Sequence, residues 1–85
     1  MKISHNKFFS KHFLIVEPTG VQFYENRALG TRRFPFERIH CVLLAPDGRL
    51  SFQVDEEVFT IQTIPGNPKH QAAIAGLVRG CTENQ

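Results

Sequence analysis

Two short turns, set close together, constrain this chain most. Ala45-Pro46-Asp47-Gly48 is the first. Proline fixes φ at the second position and glycine accepts positive φ later in the turn. With those four residues as the loop, Leu44 faces Arg49, and Leu43/Leu50, Cys41/Phe52 and Ile39/Val54 become opposed pairs. Six apolar residues then share one face, as strand alternation requires. The second reversal, Asp55-Glu56-Glu57-Val58, opposes Val54 to Phe59 and Phe52 to Ile61, and the same face continues. Two independent turns that agree on one apolar face predict an antiparallel meander.

Upstream, His12 to Val16 and Val21 to Glu25 read as a hairpin about Glu17-Pro18-Thr19-Gly20, with Val16 opposite Val21. Leu14, Val16, Val21 and Phe23 fall on one face, and Phe13, Ile15 and Tyr24 on the other. A sheet apolar on both sides needs cover on both, from a curled sheet, a helix or another subunit. Arg32 to Phe36 is predicted to pair back, setting Phe23 against Phe34 and Val21 against Phe36. Pro35 removes a ladder donor and belongs on an edge or at a bend, followed by a single helical turn into Ile39. Residues 1–11 fit neither period and are read as an arm or a first strand.

Downstream, Asn67-Pro68 is a helix start, with Asn as the cap and Pro at the first helical position. Ile74, Leu77, Val78 and Cys81 form a single apolar stripe, and Gly80 reads as the terminator, with residues 82–85 as a frayed tail. A lone helix of this length is marginal in water, so the stripe must dock on the sheet.

Eighty-five residues suffice for one domain, placed here at residues 12–81. No apolar run approaches the ~20 residues of a membrane span, and polar residues interrupt any secretory signal near Lys2. The expectation is a soluble cytoplasmic chain. Residues 1–40 carry seven basic against three acidic side chains (net +4), and residues 41–85 three against five (net −2). Halves of opposite sign suit anion binding or head-to-tail association, and equally a solvated surface.

Little in the chain points to catalysis. His5, His12, His40 and His70 lack ligand spacing with one another or with a carboxylate, and no CxxC occurs, so no metal site is expected. Cys41 and Cys81 read as reduced thiols packed as small hydrophobes, with Cys41 inward and inert. G-x-S-x-G, H-E-x-x-H and a phosphate-cradling glycine loop are all missing from the sequence. No enzyme activity and no cofactor are expected. Nor is nucleic-acid binding, since Phe13, Tyr24 and Arg27 are the only suggestive set.

The series of hairpins, the basic strand leading into Arg33-Phe34-Pro35-Phe36-Glu37-Arg38-Ile39, the Gly48–Phe52 and Val58–Ile61 hairpin and the closing helix together resemble the bacterial pleckstrin-homology-like (PH-like) domains. That resemblance, over about residues 12–81, implies a mainly β (α+β) fold: a bent antiparallel sandwich or partial barrel of six or seven strands, capped by one C-terminal helix. It implies a non-catalytic binding module, for a protein partner or for further copies of itself as a homo-oligomer. Inositide-binding members of the family carry basic residues in the loop between their first two strands. The Glu17–Gly20 turn, placed in that position, has none, so a specific head group is not expected.

Two sets of site residues follow. Phe8, Phe9, Phe13, Ile15 and Tyr24 are the candidate interface, and the same residues would serve as a second core layer in a monomer. Arg27, Arg32, Arg33 and Arg38 are the candidate anion site, for an acidic ligand or an anionic lipid surface. Adjacent Arg32 and Arg33 point to opposite faces of a regular strand, which counts against a single patch.

Overall fold

The computed structural model describes residues 1–7, 10–25 and 30–83. Among these, seven strands precede one helix. β1 (Lys2–Lys7), β2 (Ser10–Val16), β3 (Gly20–Tyr24) and β4 (Thr31–Pro35) form one antiparallel sheet in chain order. A 3₁₀ turn (Phe36–Arg38) leads into the second sheet, β5 (Ile39–Leu44), β6 (Arg49–Val54) and β7 (Glu57–Gln62), again antiparallel and in order. Helix α1 (Pro68–Glu83) closes the chain. The result is an unclosed, sandwich-like α+β domain with its helix at the C-terminal end.

The inner faces of the two sheets meet through aromatic rings. Phe23 lies 5.6 Å from Phe52 and 5.4 Å from Phe59, and Phe34 lies 5.0 Å from Phe59. Phe23 and Phe52 are almost wholly removed from solvent. Burying one such side chain is worth about 1.5–3 kcal/mol, and offset or edge-on ring pairs add about 0.5–1.5 kcal/mol.

The first hairpin is as the alternation predicts, with Val16 opposite Val21 and Phe13 opposite Tyr24. Lys2–Lys7, within the stretch that patterning left open, is a strand that pairs along β2 from Lys2↔Ile15 to Lys7↔Ser10. Ile3 is fully buried, so this strand belongs to the core. A single inward aliphatic residue leaves almost no periodic signal.

Two predicted registers are off by two residues. Val21 faces Phe34, not Phe36, and Phe52 faces Phe59, not Ile61. Slips of two preserve the face, so every apolar residue concerned still points inward. Val54 pairs with Glu57, leaving Asp55-Glu56 as a two-residue loop in which Asp55 takes φ 54°, a conformation Asp tolerates better than most. At the β3–β4 pair, a β-carbon on Gly20 would overlap the backbone of Phe34, so only glycine fits this approach.

The third difference does change faces. β5 keeps Ile39↔Val54 and His40↔Gln53, but Val42 rather than Cys41 sits opposite Phe52, across a bulge at Cys41. Cys41 has φ 52° and is exposed. The loop between Leu44 and Leu50 therefore holds five residues, closed by Ala45 N–H donating to Arg49 O (2.8 Å) and Gly48 N–H to Ala45 O (2.9 Å). Cys41 and Leu43 are thus not inward residues. Val42 packs against the core, while Leu43 is 68% exposed.

The helix begins as predicted, with Asn67 Oδ1 accepting from the N–H groups of Lys69 (2.9 Å) and His70 (3.2 Å). Its buried face is His70, Ala73, Leu77, Gly80 and Cys81, and Val78 is 46% exposed. Gly80 does not terminate the helix, and helical structure continues through Thr82 to Glu83. Ala73 and Gly80 supply close approach rather than apolar bulk, so a stripe chosen by side-chain size is rotated away from the face that docks.

Candidate functional site

Leu44 (53%), Ile64 (60%) and Val78 (46%) all border the space between β5 and α1. β5 pairs with β6 alone among the described residues, so its other edge is free beside the helix. A free edge presents unpaired backbone N–H and C=O groups to any extended chain laid along it.

Two hollows lie in that space. One, of about 320 Å³, is bounded by Leu44, Ala45, Pro46, Ile64, His70 and Ile74. The other, of about 190 Å³, is bounded by Ile39, Cys41, Val42, Val78, Cys81 and Thr82. The wall of the first is fixed by hydrogen bonds between the β5–β6 loop and the segment after β7. Thr63 donates both its N–H (2.9 Å) and its Oγ1 hydroxyl (2.6 Å) to Gly48 O, and Gln62 Nε2 donates to Asp47 O (2.8 Å). Ile64 N–H donates to His70 Nδ1 (2.9 Å), which leaves the imidazole proton of a neutral ring on Nε2 and ties the segment to α1. The groove is apolar with a rigid rim. Its one perturbed group is Cys81, whose thiol is pushed above its ordinary value by desolvation.

Of the sequence-predicted interface, Phe13, Ile15 and Tyr24 do share the outer face of the first sheet. Phe13 and Tyr24 stack across the strands at 5.0 Å and 6°, with Lys2 Nζ 5.0 Å from the Phe13 ring centre. Each of the three is only partly exposed. Phe8 and Phe9 lie outside the described residues.

The arginine set is not brought together. Arg27 lies outside the described residues. Arg32 sits on the inner face opposite Phe23, its guanidinium 4.6 Å from the Phe59 ring centre and held by Glu57 (3.5 Å) and Glu25 (3.8 Å). Arg33 points to the outer face beside Gln22, and Arg38 pairs with Asp55 in the second sheet. Strand parity separates the first two, and the 3₁₀ turn carries the third away.

The early strand also moves the first turn. Since β1 pairs with β2, Glu17–Gly20 joins the second and third strands rather than the first two, whose connection Lys7 and Lys11 flank in sequence. The missing basic residues at 17–20 therefore say nothing about a head group. A larger, mixed-charge hollow of about 590 Å³ lies by that second turn, between Glu17, Thr19, Arg33 and Glu37. Among the described residues no group of three His, Cys, Asp or Glu could hold a metal ion, and no helix is long and apolar enough to cross a membrane.

The chain matches no protein-family model, no curated protein and no solved structure.

The β5–α1 groove was not legible beforehand. Leu43 and Val78 are read from the sequence as core residues, and the bulge at Cys41 and the helix rotation turn them outward; Leu44, read opposite Arg49, is instead opposite Leu50 and still 53% exposed. The one signal available was excess: more aliphatic residues than a single small core can hold.

Proposed function

We propose that this chain is a non-catalytic, PH-like protein-binding module that receives an extended aliphatic segment of a partner protein in the groove between β5 and α1. The observation that carries this reading is the exposure of Leu44, Ile64 and Val78 around two hollows beside an unpaired strand edge. A peptide added to β5 would gain main-chain hydrogen bonds from the edge, and alternate side chains would enter the two hollows. Main-chain pairing supplies affinity, and the hollows supply preference for aliphatic residues. An occupant from a second copy would make the module self-assembling by the same contacts.

Selection of a random displayed peptide library against the immobilised chain tests the reading. Aliphatic-rich peptides should be enriched, and their binding should be lost with Leu44→Lys and with Val78→Lys, both exposed positions whose substitution leaves the fold intact. Enriched peptides that bind both variants as well as the parent would overturn it. Light scattering over a concentration series separates the occupants, since only self-pairing gives a species whose mass grows with concentration.

A second reading rests on the outer face of the first sheet. Lys2, Lys11 and Arg33 project from it, and no strand residue described on that face is acidic. Such a face suits a weak, salt-sensitive association with an anionic lipid surface. Sedimentation with phosphatidylserine vesicles, against phosphatidylcholine vesicles, at low and high salt decides it.

A further inference from the structure

Cys41 and Cys81, forty residues apart in sequence, line one hollow of about 190 Å³ between β5 and the last turns of α1. They differ in setting. Cys41 is exposed and sits at a bulge with φ 52°, a left-handed conformation that a side chain with a β-carbon seldom adopts. Cys81 is buried on the docking face of the helix. The rest of the wall is Ile39, Val42, Val78 and Thr82, so no charged side chain stands at the hollow.

We propose that Cys41 and Cys81 are a thiol–disulfide couple across this hollow, so that oxidation ties the end of α1 to the β5 bulge. The oxidant is a small disulfide of the glutathione class. Cys41, the accessible thiol, attacks it first, forming a mixed disulfide and expelling one glutathione thiolate. Cys81 then attacks the Cys41 sulfur, forming the protein disulfide and expelling the second. Two protein thiols are oxidised, one glutathione disulfide is reduced to two thiols, and the two protein thiol protons pass to the departing thiolates. Burial keeps Cys81 mostly protonated, so it is the slower, resolving partner and Cys41 the entry point.

The bond would cross the hollow at the foot of the groove and hold its two walls at a fixed separation. That consequence for partner binding rests on the function proposed above, but the couple itself does not. The chain's two cysteines, one exposed at the bulge and one buried on the helix, face each other only through the hollow they both line.

The test equilibrates the full chain in graded mixtures of reduced and oxidised glutathione, folded and in urea. Free thiols are titrated, and the products are mapped by peptide mass. The folded chain should go from two free thiols to none, through a Cys41–Cys81 link, with an equilibrium constant at least ~10-fold above that of the chain in urea. The link should be absent from Cys41→Ser and from Cys81→Ser, and the oxidised chain should unfold at higher urea than the reduced one. Two surviving thiols in the folded chain, a stable glutathione adduct at Cys41, a Cys41–Cys41 dimer, or a link formed no more readily than in urea would each overturn the proposal. None of these readouts involves an added peptide ligand, so failure of the groove as a binding site would leave them unchanged.

Discussion

The tip of the Phe36 ring rests on Gly80, in the space that a β-carbon on that residue would need. The 3₁₀ turn between the sheets delivers Phe36 inward, and the helix meets it at its smallest residue. This contact sets how closely α1 approaches the β4–β5 corner.

Gly80→Ala tests that contact. In an exposed helix interior the change would stabilise by about 1 kcal/mol through propensity. Here the added methyl overpacks a buried ring, at a cost of about 1–3 kcal/mol, so a net loss of about 1 kcal/mol is expected in urea unfolding. Paired with Phe36→Leu, the same substitution should cost less than it does alone. Additive losses would show that the ring and the glycine are not coupled.

Arg32 joins the sheets at their open side. Its guanidinium rests on Phe59 and is held by Glu57 and Glu25, with the side chain 28% exposed. Arg32→Ala should lower stability by about 1 kcal/mol, from lost stacking and packing more than from the ion pairs, which are largely exposed. The loss should therefore persist at high salt. Arg32→Lys keeps the charge but not the planar stack, and an intermediate value is expected.

The bulge predicts an inversion of the usual glycine penalty. Cys41 is exposed at φ 52°, so Cys41→Gly removes strain and no packing, and stability should rise by about 0.5–1 kcal/mol. Cys41→Val, which combines a β-branch with positive φ, should lower it. Thermal unfolding of the reduced proteins measures both.

Cys81 gives a pH dependence with a definite sign. Its folded-state pKa lies above the ordinary 9.0 because burial disfavours the thiolate. Its contribution to stability is therefore full below that ordinary value and is lost as pH rises toward the folded-state pKa. Stability should fall above about pH 9 more steeply in the parent than in Cys81→Ala. Parallel curves for the two proteins would contradict it.

Much of this fold was legible because turns and alternation reinforce one another. Pro46-Asp47-Gly48, Pro18-Thr19-Gly20 and Asn67-Pro68 each mark a real boundary, and parity places Leu14, Phe23, Phe52 and Ile61 inward whatever the length of the turn. The misses have physical causes. A two-residue slip at Phe34 or Phe59 is silent to a period-two pattern. The bulge at Cys41 is silent for another reason: Ile39, Cys41 and Leu43 on one parity look no different from Val42 and Leu44 on the other. β1 is polar apart from Ile3, and the docking face of α1 is built on Ala73 and Gly80, which no hydrophobic scale favours. The helix rotation also bears on the groove, since it is what leaves Val78 exposed there.

Every strand pairing among the described residues joins consecutive segments, from β1 through β4 and from β5 through β7. The two sheets meet face to face through Phe23, Phe52 and Phe59, and α1, lying against β1, β2 and the 3₁₀ turn, ties the end of the chain to its beginning. The hairpins can therefore zip up quickly and locally, while the final clasp waits for the last element to reach the first. Within that clasp Gly76 meets the end of the Met1 side chain. The lifetime of the folded state should thus depend on how long these two segments stay together, and loosening either one would speed opening far more than it slows assembly.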